Sequence, residues 1–303
     1  MIRSCGIDQV ETIFFDWPLT NWCNYKCSYC PVIDIITNDF TVEDHTSMYK
    51  LTLAKLRKVE TPFNICLTGG EPTLHPNILD ILDELDNIPL CQDVSLFTNL
   101  SRPPKFYTKI TPSNKIVVFA SYHPEFATEK FLERCIELKN MGTVNFSVHV
   151  TLSDKKEHWD KTIDILEQLK LNNILFKPYL IAPTNFYTPI YDEEFNNLFL
   201  SYLENTGENS SGNNFFKTIP VVYDNGESES IREYEFELRA LNKFKGYNCK
   251  PVSYSIRLDG TIENTCTKRV VPLSLTNKNL IVSEVCPNEI CPSRRLINFY
   301  KWK

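Results

Sequence analysis

The sequence predicts an α/β fold: a partial (β/α)6 barrel followed by a small C-terminal β-rich domain. Three observations predict it. From Ile13 to Leu203, short apolar runs alternate with longer stretches of helical periodicity, the pattern of βα units around a parallel sheet. Six such units follow one another, a number that suits a partial barrel with its chemistry on the loops after the strands. From Cys249 on, the periodicity changes to short β-like runs separated by cysteines.

Each element can be placed in order. Ile13, Phe14 and Phe15 open the first strand, within an apolar run that reaches Leu19. Met48, Leu51, Leu56 and Val59 mark a helical face, and Phe63 to Leu67 reads as a short buried strand. Ile78, Ile81, Leu82, Leu85 and Ile88 have helical spacing. A third strand covers Val94 to Phe97, with a short helix around Phe106. Ile116 to Ala120 is a fourth strand, and Phe131, Leu132, Cys135, Ile136 and Leu138 form a helix ending near Gly142. Val144 to Val150 makes a fifth strand, followed by a helix through Trp159, Ile163, Leu166 and Leu169. Ile174 to Ile181 is the sixth strand, and Phe195, Leu198, Phe199 and Tyr202 give the sixth helix. Asn205 to Asn214 is polar and reads as a linker, and Asp224-Asn225-Gly226 signals a hairpin turn inside Thr218 to Leu238. The chain thus divides into a core at 1–204, a linker or insert at 205–244, and a small domain at 245–303.

Composition bounds the function. The 303 residues are 42% apolar and 23% charged with no low-complexity tract, which is globular. No apolar h-region follows the N-terminus and no apolar run approaches the roughly 20 residues of a membrane span. A cytoplasmic protein is expected. The net charge of −6 argues against nucleic acid as the main partner. Eleven cysteines are many for such a chain, and seven of them cluster, three at 23–30 and four at 249–291. That usage points to metal or cluster ligation in a reducing compartment.

Cys23, Cys27 and Cys30 are spaced CxxxCxxC directly after the first strand. Three thiolates on one loop can hold three corners of an iron–sulfur cube and leave one iron open. Zinc remains the alternative, though no fourth ligand follows nearby. Leu67-Thr68-Gly69-Gly70-Glu71-Pro72 ends the second strand. Its two glycines allow close backbone approach to a ligand, and Glu71 supplies a carboxylate that could clamp an amino group. A plain strand-to-helix turn is the competing reading. Thr98-Asn99 and Ser121-Tyr122-His123-Pro124-Glu125 close the third and fourth strands and bring polar groups to the same mouth. Each is equally readable as a turn or capping residue.

Together these motifs resemble the radical S-adenosylmethionine (SAM) superfamily over roughly residues 12 to 200. The resemblance implies a [4Fe–4S] cluster on Cys23, Cys27 and Cys30, with SAM chelating the open iron. It implies that Gly69, Gly70 and Glu71 hold the methionine amino group, that Tyr29 lies near the adenine, and that Thr98, Asn99 and Ser121 face SAM. His123 and Glu125 are candidate contacts to SAM or substrate, or structural residues. Reductive cleavage of SAM would then give a 5′-deoxyadenosyl radical that abstracts hydrogen from a substrate. No acid–base pair is needed for that step.

Four further cysteines, Cys249, Cys266, Cys286 and Cys291, suffice for one fully ligated cluster or one structural zinc. The segment resembles the twitch domain and the first half of the SPASM domain, which implies an auxiliary [4Fe–4S] cluster. It departs from them in having five residues between Gly260 and Cys266, and in lacking the cysteines of a second auxiliary site. Of the remaining cysteines, Cys135 and Cys66 are expected to pack as small apolar groups, while Cys5 and Cys91 carry no assignment. The expected function is an enzyme that oxidises, epimerises or rearranges a small polar molecule, with reduction by a flavodoxin or ferredoxin. The short lead before the first strand and the single auxiliary set favour that over maturation of a ribosomally made peptide. A non-catalytic iron–sulfur or zinc electron carrier is the rival from another class, and an RNA-modifying enzyme a further one.

Overall fold

The computed structural model describes residues 1–6, 12–34, 42–181, 187–205, 218–271, 280, 282–291 and 300–303. Its centre is an eight-stranded sheet. Six consecutive parallel strands, β2 (Ile13–Pro18), β3 (Phe63–Thr68), β4 (Cys91–Thr98), β5 (Ile116–Tyr122), β6 (Asn145–Leu152) and β7 (Phe176–Leu180), lie side by side in chain order. The sheet is an open, partial barrel: its edges are β7 and, at the other end, the hairpin β11 (Ser253–Ile256) and β12 (Ile262–Asn264). The six sequence-predicted strands are all present.

Alternation explains how these strands sit. In β2 the buried Ile13, Phe15 and Trp17 point one way, while the partly exposed Phe14 and Asp16 point the other. The buried set packs beneath helices: α1 (Val42–Leu56), α2 (Ile78–Asp86), α3 (Pro104–Tyr107), α4 (Lys130–Met141), α5 (Trp159–Leu171) and α6 (Glu193–Asn205). In α2, Ile78, Ile81, Leu82 and Leu85 form a single buried stripe, the i, i+3, i+4, i+7 pattern of a helix on a sheet. Gly142, in the left-handed region at φ 60°, ends α4 and donates its amide to Leu138 O, a glycine-capped helix end. Trp159 of α5 meets Phe195 and Phe199 of α6 at ring-centroid distances of 6.0 Å.

One helical face differs from expectation. Leu51 is 55% exposed, and the buried stripe of α1 runs through Tyr49, Thr52, Leu53 and Leu56. Leu51 lies two residues from Tyr49, about 200° around the helix, so it faces away from the sheet. Val59 is buried but lies beyond the helix end.

A second, six-stranded sheet was not legible in full. Its order is β13 (Glu284–Val285), β10 (Asn248–Cys249), β14 (Lys301–Trp302), β1 (Ile2–Cys5), β8 (Thr218–Tyr223) and β9 (Ser228–Arg232). The predicted hairpin is β8–β9, turned at Asp224 to Glu227 and followed by a short α7 (Glu233–Leu238). Strand β1 came from a stretch given no element, and it pairs on both sides, with β14 and with β8. Strand β11 leaves the cysteine-rich segment and pairs in parallel with β2. The polar stretch expected as a linker lies outside the described residues apart from Asn205. No helix among the described residues is long and apolar enough to cross a membrane.

Candidate active site

At the ends of β2 to β5 the predicted motifs meet in one cleft of about 200 Å³. Cys23, Cys27, Tyr29, Cys30, Gly69, Gly70, Glu71, Thr98, Asn99, Ser121 and His123 all line it, and Phe97 and Tyr25 join them.

Backbone packing places the cysteine loop. Leu19 donates to Thr68 O at 2.9 Å, Gly70 to Thr20 O at 2.7 Å and Glu71 to Trp22 O at 2.8 Å, which prolongs the β2–β3 pairing past the strands. This is where the glycines are needed. A Cβ on Gly69, whose φ is +124°, would lie 2.4 Å from Thr20 O, and one on Gly70 would lie 2.2 Å from Trp22 O. The close approach anticipated for a ligand is thus made by the protein's own main chain, and it sets Cys23 directly beside Gly70.

Glu71 likewise has protein partners. It is 1% exposed. Its Oε1 accepts from the Thr73 amide (3.0 Å), the Thr73 hydroxyl (2.6 Å) and the Thr98 hydroxyl (2.7 Å), and its Oε2 accepts from the Asn99 amide (2.7 Å). Burial pushes its carboxyl above the usual range, against these hydrogen bonds. Asn99 in turn donates to Asn24 Oδ1 at 2.9 Å and accepts from the Ser101 amide at 3.0 Å. Glu71, Thr98 and Asn99 therefore tie the ends of β3 and β4 to the cysteine loop while lining the cleft.

Tyr29 and His123 form a stacked pair, centroids 6.0 Å apart, with Tyr29 OH 3.2 Å from His123 Nδ1. Burial lowers His123 to about 4 and raises the Tyr29 phenol. Both shifts keep the phenol protonated and the imidazole neutral, so the pair shares one hydrogen bond whose direction follows the His123 tautomer. Glu125 is not among the lining residues. Its Oε2 accepts from the Ser28 amide at 2.7 Å, and its Oε1 accepts from the Ser28 hydroxyl at 2.5 Å and Lys155 Nζ at 3.1 Å.

The loop suits a cluster. Burial pushes the Cys23 thiol up to about 11 and the Cys27 thiol to about 12, and raises Cys30, so ligation would release protons. The Tyr25 amide already donates to Cys23 Sγ at 3.3 Å, the kind of bond that stabilises a thiolate.

The four later cysteines also converge. Cys249, Cys266, Cys286 and Cys291 line a second, smaller pocket with Thr267, Glu284 and Lys301. Main-chain amides fix three of them: Cys266 to Asn264 Oδ1, Cys286 to Tyr247 O and Cys291 to Asn242 O. Cys5, which the sequence left unassigned, is 2% exposed and stands across β14 from Cys249, both paired with Lys301. The buried Thr267 hydroxyl finds no hydrogen-bond partner among the described residues. Cys66, Cys91 and Cys135 are buried in the core region, away from both pockets' linings.

An open parallel barrel that gathers three cysteines and a Gly-Gly-Glu turn at its C-terminal mouth belongs to the cofactor-dependent barrel enzymes. The profile of the radical SAM superfamily matches residues 17–177, and the chain belongs to that superfamily, whose members use a [4Fe–4S] cluster and SAM. GTP 3′,8-cyclase of Nostoc punctiforme is 33% identical over 84 residues, 27% of this chain and 25% of that protein. The Staphylococcus epidermidis enzyme of that name is 30% identical over 87 residues, again 27% and 25%. Mouse molybdenum cofactor biosynthesis protein 1 is 35% identical over 81 residues, 13% of its length. The matches span a quarter of these relatives or less. Among solved structures, anSMEcpe with bound AdoMet and the Cp18Cys peptide superposes with a TM-score of 0.55 at 17% identity, over 89% of this chain and 82% of that one. Streptococcus suis SuiB bound to S-adenosylmethionine gives 0.52 at 16%, over 83% of this chain and 59% of that one. These likenesses support the fold.

Proposed function

We propose that this chain is a radical SAM enzyme that abstracts hydrogen from a small polar substrate and carries an auxiliary [4Fe–4S] cluster on Cys249, Cys266, Cys286 and Cys291. The convergence of Cys23, Cys27, Cys30, Tyr29 and the 69–71 turn on one cleft carries this proposal. When bound, the first cluster and SAM supply the 5′-deoxyadenosyl radical. The protein's part is binding and orientation. Cys23, Cys27 and Cys30 would hold three irons. With the Glu71 carboxylate committed to four protein donors, the methionine ammonium falls to the main chain of the turn and the lone pair left on Oε2. Tyr29, held by His123, would face the adenine, and Ser121 the remaining polar edge of SAM.

A cluster is preferred to zinc in the second pocket because the four cysteines follow a radical SAM core in a segment that resembles the twitch domain. The Thr267 hydroxyl and the buried Lys301 beside the pocket would suit the sulfurs and negative charge of either group. Such a cluster could accept an electron from a substrate radical, making the net reaction an oxidation. The name of the two bacterial relatives refers to GTP, itself a small polar molecule. A flavodoxin or ferredoxin would serve as reductant.

The test uses reduced, reconstituted enzyme with SAM and pools of deuterated small polar metabolites. Deuterium in 5′-deoxyadenosine from one of them is expected. Transfer from ribosomally made peptides alone would replace the small molecule by a peptide. Absence of transfer from every pool, with no 5′-deoxyadenosine from iron-loaded protein, would overturn the proposal.

A further inference from the structure

We infer that Glu125 and Lys155 are positioning residues that brace the cysteine loop from across the barrel mouth. Ser28 sits between Cys27 and Tyr29 on the loop after β2. Glu125 follows β5 and Lys155 follows β6, so the brace reaches over β3 and β4. Its geometry is a closed triangle. Glu125 takes the Ser28 amide at 2.7 Å on Oε2 and the Ser28 hydroxyl at 2.5 Å on Oε1. Lys155 Nζ donates to Glu125 Oε1 at 3.1 Å and to Ser28 Oγ at 2.8 Å.

Gripping both the amide and the hydroxyl of one residue fixes the rotation of that peptide as well as its place. The turn is tight, with Cys30 N donating to Cys27 O at 3.1 Å, so rotation at Ser28 would swing Cys27 and, two residues on, Cys30. The same 123–126 turn grips the loop further along: Phe126 stacks on Tyr25 at 5.3 Å and His123 on Tyr29. The Glu125 side chain is 13% exposed and Lys155 33%, a partly desolvated site where charge-assisted bonds exceed surface ion pairs. Lys155 also balances a carboxylate that would otherwise stand uncompensated beside Cys27. Both Glu125 oxygens accept from the loop or from Lys155 and the residue does not line the cleft, which gives it the part of a brace.

The consequence for the cluster rests on Cys23, Cys27 and Cys30 being its ligands; the brace itself is a property of the metal-free chain. The test follows iron release from reconstituted protein to a chelator, without oxygen, in Glu125→Gln, Lys155→Met, the double variant and Lys155→Arg. Each single loss should speed release about tenfold, the scale of one charge-assisted hydrogen bond. The double variant should be little worse than the worse single one, because the two act as a unit. Lys155→Arg should restore most of the retention. In metal-free protein, hydrogen exchange at the Ser28 amide should accelerate in Glu125→Ala with no change in the cores of β4 and β5. Unchanged iron release together with an unchanged Ser28 amide would overturn the brace. So would unchanged release with a raised KM, which would return Glu125 to substrate contact. If wild-type protein takes up no iron, the ligand assignment fails, and amide exchange alone decides the brace.

Discussion

Gly70 determines where Cys23 sits. Its missing Cβ leaves room for Trp22 O and for the Cys23 side chain, whose Cβ would be 3.0 Å from an added methyl. Gly70→Ala should therefore push the cysteine loop away and cost on the order of 3 kcal/mol of stability. Chemical denaturation and iron uptake would both report it, and a variant that keeps both would remove the packing role given to this glycine. Glu71→Gln is as instructive. The amide puts a donor where a carboxylate accepts four bonds, so a loss of about 2 kcal/mol is expected even before any effect on SAM binding. His123 adds a pH dependence. Its pKa falls from 6.5 to about 4 on folding through burial, while the Glu125 charge pulls the other way. Between those values the unfolded chain binds more protons than the folded one, so stability is complete above about 6.5 and is lost as pH falls toward 4. Thermal unfolding of metal-free protein should show that slope, and His123→Phe should flatten it. Equal slopes in both would mean that His123 stays accessible to protons in the folded state.

At the scale of elements, the parallel strands were legible because each is a short apolar run with a helical period behind it, and β3 or β5 needs no distant information to be seen. The ends of the motifs were legible as chemistry but not as geometry. Nothing in Gly-Gly-Glu-Pro says that its glycines meet Thr20 and Trp22, or that Glu71 is claimed by Thr73, Thr98 and Asn99. Those are long-range contacts between residues of ordinary turn type. Strand β1 was illegible for another reason. Four residues, Ile-Arg-Ser-Cys, offer too short a period, and both strand partners, Val221 to Tyr223 and Lys301 to Trp302, lie hundreds of residues away. Yet β1 is interior to its sheet. Deleting residues 1–6 should uncouple β14 from β8 and disturb the pocket of Cys249, Cys266, Cys286 and Cys291. Iron content should then drop from about eight to about four per chain while SAM cleavage at the first cluster persists. Full iron content in the truncated chain would show that the second pocket stands without β1.

Across the whole molecule, the two cysteine sets are joined through strand pairing. Strand β2 leads into Cys23, and β11, between Cys249 and Cys266, pairs with it in parallel through Phe14 to Asp16. Lys55 Nζ of α1 holds the tip of the β11–β12 hairpin by donating to Gly260 O at 2.7 Å. The later cysteines are thus set against the barrel by a strand whose sequence, Ser-Tyr-Ser-Ile, gave no hint of that partner. The measurement that bears most directly on the molecule as a two-cluster radical enzyme is a metal count and a SAM-cleavage assay on one anaerobic sample. Reconstituted protein with dithionite and SAM should hold about eight irons and no zinc per chain, and form 5′-deoxyadenosine that Cys27→Ala does not form. About four irons with one zinc would contradict the auxiliary cluster, and an iron-loaded protein that forms no 5′-deoxyadenosine would contradict the enzyme.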